Sequence, residues 1–473
     1  MDRRAKIAAT LGPACASTPT LLKMVRRGMD VARLNFSHGD KVSHAKLVKN
    51  LRRASRQAGR AIALLADLQG PRFRIGEFED GALALEDGQS VRINTGSTRC
   101  KAGELPVSYA ALSRDVKRGH RILIDDGRIE LRVGRIRGKD VTCEVVRGGK
   151  VSNHKGINLP DSSLSVPAVT AKDARDLATA VELGANWLAV SFVRRGADIA
   201  RARRLLERAG RPIPVLAKIE RAEAIENLDE ILEAADGLMV ARGDLGVELP
   251  AAQVPILQKE IIEKANSMGK PVITATQMLD SMRHEPRPTR AESSDVANAV
   301  LDGSGCLLLT AETAAGRYPV EAVATMDDII RQAELSGRTH HEGPPPGGLS
   351  ITITTCRAGC YAAADVKAKA IAVFTRGGNT AVQTARFRPK TPILAFTPSI
   401  EVKRKLALVW GVTPFRVANR RNFHALLRSL DQLLLEKKLA KKNDIVVVLM
   451  GDQLGKALER TNLMRLHRVG SAT

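Results

Sequence analysis

Short runs of apolar and β-branched residues recur at positions 7–11, 31–35, 62–67, 187–191, 214–219, 237–241, 272–275 and 306–309. Stretches of helical period lie between or after them, at 18–27, 41–57, 171–183, 197–209, 225–234, 251–267, 290–302 and 320–333. A run without polar alternation suits a strand covered on both faces, and parallel strands of that kind need helices over them. Eight strand–helix units predict a closed (β/α)8 barrel, a TIM barrel. A doubly wound open sheet has the same local pattern, so the count alone leaves closure open.

Two intervals break the rhythm. Between 67 and 171 the chain turns to short alternating strands with turn signals, as in Val91-Arg92-Ile93-Asn94 and Ile122-Leu123-Ile124-Asp125-Asp126-Gly127-Arg128. This predicts a small all-β lid inserted after the third barrel strand, hinged at Gly70-Pro71 and Lys155-Gly156. The second break, Gly343-Pro344-Pro345-Pro346-Gly347-Gly348, has the composition of a linker. Beyond it, apolar runs at 370–374, 392–396 and 445–449 again alternate with helices, as in a separate α/β domain. The expected division is a catalytic barrel at 1–70 and 158–342, a lid at 71–157 and a C-terminal α/β domain for effector binding and oligomerisation at 349–473.

Composition narrows the class. The chain has 473 residues, 44% of them hydrophobic and 26% charged, a globular balance with room for several domains. No apolar run approaches the ~20 residues of a membrane-spanning helix. Met1-Asp2-Arg3-Arg4-Ala5-Lys6 leads directly into the first strand run, without the longer apolar stretch of a signal peptide, so a cytoplasmic location is expected. Six scattered cysteines, at 15, 100, 143, 306, 356 and 360, read as reduced thiols rather than a disulfide framework. The formal charge of +23 invites a nucleic-acid reading, but aromatic residues, the usual base-stacking platforms, are only 3%. Between 349 and 473 there are 22 lysines and arginines against 7 acidic residues. An anion-binding domain and a merely solvated basic surface explain that excess equally well.

Barrel enzymes work at the C-terminal ends of their strands, so polar residues there carry the information. The second strand runs into Arg33-Leu34-Asn35-Phe36-Ser37-His38-Gly39 and the third ends at Asp67. The fifth ends Ala217-Lys218-Ile219-Glu220, the sixth leads to Arg242-Gly243-Asp244, the seventh to Thr276 and the eighth to Thr310-Ala311-Glu312. Lys218 and Glu220 are two apart, so both side chains can leave one face of a strand. Two carboxylates, Glu220 and Asp244, with no soft ligand suit Mg²⁺ or Mn²⁺. Arg33 and Lys218 beside them complete the equipment of phosphoryl transfer. A structural ion pair at the barrel rim would account for Lys218 and Glu220 alone, but not for six furnished strand ends.

These segments resemble the pyruvate kinase family. The likeness runs collinearly through 9–13 (Ala9-Thr10-Leu11-Gly12-Pro13), 32–39, 67–71, 218–220, 239–250, 274–282 and 292–302. The family's barrel, inserted lid and C-terminal α/β domain agree with the organisation above. The resemblance implies a phosphotransferase, the glycolytic enzyme that takes phosphoenolpyruvate and ADP to pyruvate and ATP. It implies Lys218, Arg33 and Thr276 as catalytic residues, and Arg33, Lys218, Gly243, Asp244 and Thr276 as substrate-binding. Glu220 and Asp244 would hold Mg²⁺ or Mn²⁺, with Lys218 stabilising the transition state. Thr276, with Thr310 near, would lie on the proton route to the enolate through water. Asn35, Ser37, His38, Arg74 and Lys155 would bind nucleotide; Asp126 would face the cleft from the lid or simply serve a turn. A homotetramer is the family expectation.

Departures from the family pattern carry further expectations. The monovalent-cation position of K⁺-using members corresponds to Asn35, Ser37, Asp67 and Leu68, and Leu68 replaces a threonine. Arg72 stands where those members carry glutamate, so K⁺ is not expected to be required. Thr310-Ala311-Glu312 replaces the usual Ser-Gly-Glu. In the last domain Thr375, Arg376, Gly377, Gly378, Asn379 and Thr380 follow a strand and open a helix, resembling the family's loop for a phosphorylated allosteric effector. The stretch 451–462 is poorer in glycine than in members activated by fructose 1,6-bisphosphate, so a sugar monophosphate or nucleoside monophosphate is the preferred effector class.

Overall fold

The eight apolar runs become eight parallel strands that close on themselves. They are Lys6–Thr10, Met29–Asn35, Ala63–Asp67, Trp187–Val190, Val215–Ile219, Gly237–Ala241, Val272–Ala275 and Cys306–Leu309. The first and last pair from Lys6 opposite Cys306 to Ala9 opposite Leu309, which excludes the open doubly wound sheet. This computed structural model describes residues 3–99, 103–338, 350–419, 422–451 and 461–471. The expected linker at 343–348 lies outside them.

Side chains alternate as the pleat requires. Ala8, Val31, Leu65, Met239 and Leu308 fill the barrel, while Ile7, Ala9, Leu64 and Val240 pack outward under the helices. The N-terminal mouth is plugged by Ala407 and Leu408 of the last domain, and the Trp187 indole N–H donates to the Lys405 carbonyl at 3.0 Å.

Two helices depart from the sequence reading. The stretch expected at 225–234 is two helices, Ala222–Glu226 and Leu228–Ala234, parted at Asn227, whose amide donates to the carbonyls of Arg194 and Glu223. The helix expected from 251 begins at Val254, because Pro255 is tolerated only in a first turn.

The lid is a seven-stranded sheet with a separate two-stranded ribbon and one short helix, Leu112–Asp115. Its outgoing and returning strands, Phe73–Arg74 and Gly156–Asn158, pair antiparallel. Gly70 sits at φ +68, and a Cβ there would meet the Phe192 ring at 2.8 Å, so this position requires glycine. The last domain has five strands in the order Val412–Arg416, Ile393–Thr397, Ala370–Phe374, Ile445–Met450, Leu463–Arg468, the last antiparallel. The sequence reading found three of these. Among the described residues five cysteines are free thiols, and burial pushes Cys15 and Cys356 up to about 11 and Cys143 up to about 12. No helix among the described residues is long and apolar enough to cross a membrane.

Candidate active site

Three strand ends converge on one contact chain. Asn35 pairs with Asp67 and Arg33 with Leu65, which sets Arg33 diagonally across from Asp67. Arg33 Nε donates to Asp67 Oδ2 at 2.6 Å, and Arg33 Nη1 donates to the Thr10 hydroxyl at 3.0 Å. Lys218 Nζ lies 3.3 Å from Asp67 Oδ1 and 2.8 Å from Glu220 Oε1. It also donates to Ser191 Oγ at 2.8 Å, and Ser191 donates onward to the Leu68 carbonyl at 2.7 Å. The second oxygen of Glu220 accepts the Phe192 backbone N–H at 2.7 Å.

All four charged groups are buried, with Asp67 and Glu220 each only 1% exposed. Burial opposes each charge, so the neighbours decide the outcome. Burial pushes the Asp67 carboxyl up, but Lys218 and Arg33 more than reverse it and hold it below its ordinary value. Burial pulls the Lys218 ammonium down, while Asp67 and Glu220 bring it above its ordinary value. Glu220 is pushed up by burial and by Asp244, and Lys218 offsets this only in part.

Asp244 enters from the helix Arg242–Glu248, directly after the sixth strand. The Gly243 N–H donates to Thr276 Oγ1 at 2.8 Å. Thr276 and Gln277 adopt φ of 72 and 56, a costly conformation for residues with a Cβ. Arg242 holds that turn: it donates to the Thr276 carbonyl at 2.7 Å and grips both Asp295 oxygens at 2.6 and 2.7 Å. Thr310 donates from its N–H and its hydroxyl to Glu312 Oε2, at 2.6 and 3.0 Å.

Above these groups opens a cavity of about 810 Å³ whose wall includes Arg33, Asn35, His38, Arg72, Lys218, Asp244, Thr276 and Thr310. Its volume lies within the usual range of ligand sites. Glu220 is not in that wall; its carboxylate is paired with Lys218, which is. The Glu220–Asp244 pair fits a hard dication: the like-charge repulsion that raises Glu220 is the interaction such an ion between them would reverse. Among the described residues there is no group of three or more His, Cys, Asp or Glu arranged for a metal.

The other expected site residues divide. Ser37 lies beside the cavity rather than in its wall, its N–H donating to Asn35 Oδ1 at 3.1 Å. His38 is in the wall, its imidazole lowered by burial and by Arg72, Arg74 and Arg33. Arg74 and Lys155 are not in the wall: Arg74 donates to the His154 carbonyl at 2.8 Å, and the Lys155 ammonium pairs with Asp125 at 2.8 Å. Asp126 follows in the same lid turn, at φ 56. The Leu68 side chain is buried in the barrel core and offers no oxygen ligand.

The loop at 375–380 lies far along the chain, in the last domain. Thr375 Oγ1 accepts the Gly378 N–H at 2.9 Å, Gly378 caps the helix Asn379–Arg386 at φ 96, and the Thr380 and Thr461 hydroxyls lie 2.7 Å apart. Lys405 donates to the Gly377 carbonyl. Arg376 and Asn379 are exposed. Residues 452–460, most of the glycine-poor stretch, lie outside the described residues.

A closed barrel presenting buried arginine, lysine and paired carboxylates at its strand ends has the equipment a phosphotransferase needs. The family model described as the pyruvate kinase barrel domain matches residues 2–323, and that described as the pyruvate kinase alpha/beta domain matches 354–467. Pyruvate kinase of Corynebacterium glutamicum is 45% identical, covering 100% of this chain and 99% of its own length. That of Mycobacterium intracellulare is 46% identical, with 99% of each covered. A crystal structure of a pyruvate kinase from Cryptosporidium parvum superposes with a TM-score of 0.93 at 34% identity, covering 99% of this chain and 96% of that one. The chain belongs to the pyruvate kinase family.

Proposed function

We propose that this enzyme transfers the phosphoryl group of phosphoenolpyruvate to ADP, with the roles set by the contact chain Arg33–Asp67–Lys218–Glu220. That chain is the observation that supports the reading most directly. Arg33 and Lys218 hold the phosphoryl oxygens. Asp67 fixes both cations in place, so no reorganisation is needed as charge grows on the transferring group. The P–O bond to the enol oxygen breaks as the bond to the ADP β-phosphate oxygen forms, and Lys218 neutralises the charge that develops. Glu220 and Asp244 would hold Mg²⁺ or Mn²⁺; when bound, the ion supplies Lewis-acid stabilisation of substrate oxygens.

The substrate carboxylate is received by the Gly243 and Asp244 N–H groups and the Thr276 hydroxyl. The Thr276–Gly243 hydrogen bond therefore exchanges for bonds to substrate. The enolate left behind is protonated at carbon through a water relay past Thr276 and Thr310, since a threonine hydroxyl alone is a weak acid. ADP lies over Asn35, Ser37 and His38. Lid closure about Gly70 would carry Arg74 and Lys155 towards its phosphates and exclude competing water. Arg72, a permanent cation in the cavity wall, supplies the charge that K⁺ supplies in other members, which makes K⁺ dispensable. The loop 375–380 takes a phosphorylated effector, a sugar monophosphate or nucleoside monophosphate, in a cytoplasmic homotetramer.

The test is a lactate-dehydrogenase-coupled assay with phosphoenolpyruvate, ADP and Mg²⁺. Pyruvate formation that needs all three supports the reading. Absence of turnover with either Mg²⁺ or Mn²⁺ sinks it.

A further inference from the structure

Ser191 directly follows the fourth barrel strand, is only 2% exposed and is not part of the cavity wall. Its hydroxyl hydrogen goes to the Leu68 carbonyl at 2.7 Å, so towards Lys218 the oxygen can only accept, and it does so at 2.8 Å. The next residue, Phe192, sits at φ 54 and donates its N–H to Glu220 Oε2 at 2.7 Å. A residue with a Cβ held in that region is strained, and such strain gathers where geometry serves function. One turn thus holds both members of the Lys218–Glu220 pair, the lysine by a side chain and the glutamate by the backbone.

An ammonium has three N–H groups, and Lys218 has three acceptors: Glu220 Oε1 at 2.8 Å, Ser191 Oγ at 2.8 Å and Asp67 Oδ1 at 3.3 Å. A phosphoryl oxygen that reaches the ammonium from the cavity therefore takes the place of one of them. Asp67 is the farthest, and it keeps its bond to Arg33. Glu220 is shared with the dication it is proposed to hold. Ser191 is the neutral acceptor of the three, and its other bond is to a backbone carbonyl, so it can stay in place while the charges around Lys218 rearrange. The two carboxylates already balance the lysine's charge, and the Leu68 carbonyl alone would satisfy the serine. What the serine adds is direction.

We propose that Ser191 is a positioning residue for phosphoryl transfer: its hydroxyl, anchored on the Leu68 carbonyl, aims the Lys218 ammonium at the transferring group. This rests on the phosphoryl-transfer reading given above. Ser191→Ala should lower kcat about ten- to hundredfold, the worth of one hydrogen bond to a charged group, while the KM for ADP stays within about twofold. Ser191→Cys fills the same space with a weak acceptor and should lose nearly as much; it also carries the comparison if Ser191→Ala fails to fold. A Ser191→Cys enzyme within about twofold of the wild-type rate overturns the proposal, because packing alone would then explain the serine. In a Lys218→Met background Ser191→Ala should cost less than about twofold, since no ammonium is left to aim. A full separate loss there shows a role independent of Lys218 and overturns the proposal as well. Crystal structures of the ligand-free wild type and Ser191→Cys give a readout without turnover: Lys218 Nζ should leave its wild-type place in the variant, and an unmoved Nζ counts against the inference. A wild type that makes no pyruvate, with Nζ displaced in the variant, would sink the reaction and leave the hold of Ser191 on Lys218 standing.

Discussion

Replacing Lys218 by methionine removes one ammonium and keeps the side chain's length. Two carboxylates, each 1% exposed, then lose their shared cation: Asp67 keeps Arg33, and Glu220 keeps only the Phe192 N–H. Breaking a buried pair in this way costs about 3–5 kcal/mol, and part of that is recovered if Glu220 takes up a proton. At the transition state one preorganised charge is missing, worth about 3–4 kcal/mol, so kcat should fall ~10²–10³-fold. The stability loss has a pH signature. In the wild type Lys218 is raised, so its contribution is complete below the unfolded lysine range and lost only as pH rises through its higher folded value. In the variant Glu220, already raised, is raised further. The penalty is absent where glutamate is protonated folded and unfolded alike, below about pH 4, and grows as pH climbs from there to the folded value. Coupled-assay rates and thermal midpoints from pH 5 to 8 test both parts. More than about a tenth of the rate surviving would refute the catalytic assignment. A midpoint deficit that does not widen with pH would refute the electrostatic one.

Full activity is expected in tetramethylammonium buffer without K⁺, whereas Arg72→Glu should lose about tenfold or more there and recover on adding K⁺; a wild type that stops without K⁺ contradicts this. Arg242→Lys gives up the bidentate grip on Asp295 and loosens the turn at Thr276, so kcat should fall about tenfold, with Asp295→Asn adding little further because both act on one turn. Gly378→Ala puts a Cβ at φ 96 and 3.2 Å from Lys405 Cε, at a cost of about 1–2 kcal/mol, and the concentration of sugar monophosphate or nucleoside monophosphate giving half-maximal activation should rise. A shift of the phosphoenolpyruvate curve by fructose 1,6-bisphosphate alone would overturn the effector preference.

The barrel could be read from the chain because its strands are apolar on both faces, so every polar residue at a strand end stood out. Arg33, Asp67, Lys218 and Glu220 were visible for that reason. Strand Val412–Arg416 was hidden by Pro414, which only a sheet edge tolerates, and Leu463–Arg468 by exposed residues on an edge strand. The residues that hold the site in shape were not legible. Ser191 is an ordinary serine at the end of an apolar run, and Arg242 finds Asp295 53 positions away. Lys155 shows the opposite limit, since its expected role requires a partner other than Asp125, where its ammonium now rests.

On the proposed reading, the charges at the strand ends favour a dication bound together with the substrate. Arg33 and Lys218 bring two positive charges, while Asp67, Glu220 and Asp244 bring three negative ones. The five side chains alone thus present net negative charge to a multiply anionic phosphoenolpyruvate, and the buried position of four of them leaves that charge poorly screened. A dication held by Glu220 and Asp244 would reverse the sign, and Arg72 in the same wall adds a fixed positive charge. On this reading Asp67 serves the two cations rather than a monovalent ion: its oxygens face Arg33 and Lys218, and Leu68 beside it contributes no hydroxyl. If K⁺ proves dispensable as proposed, the two departures at 68 and 72 are one electrostatic change, the loss of an ion's ligand and the gain of a side chain that replaces its charge.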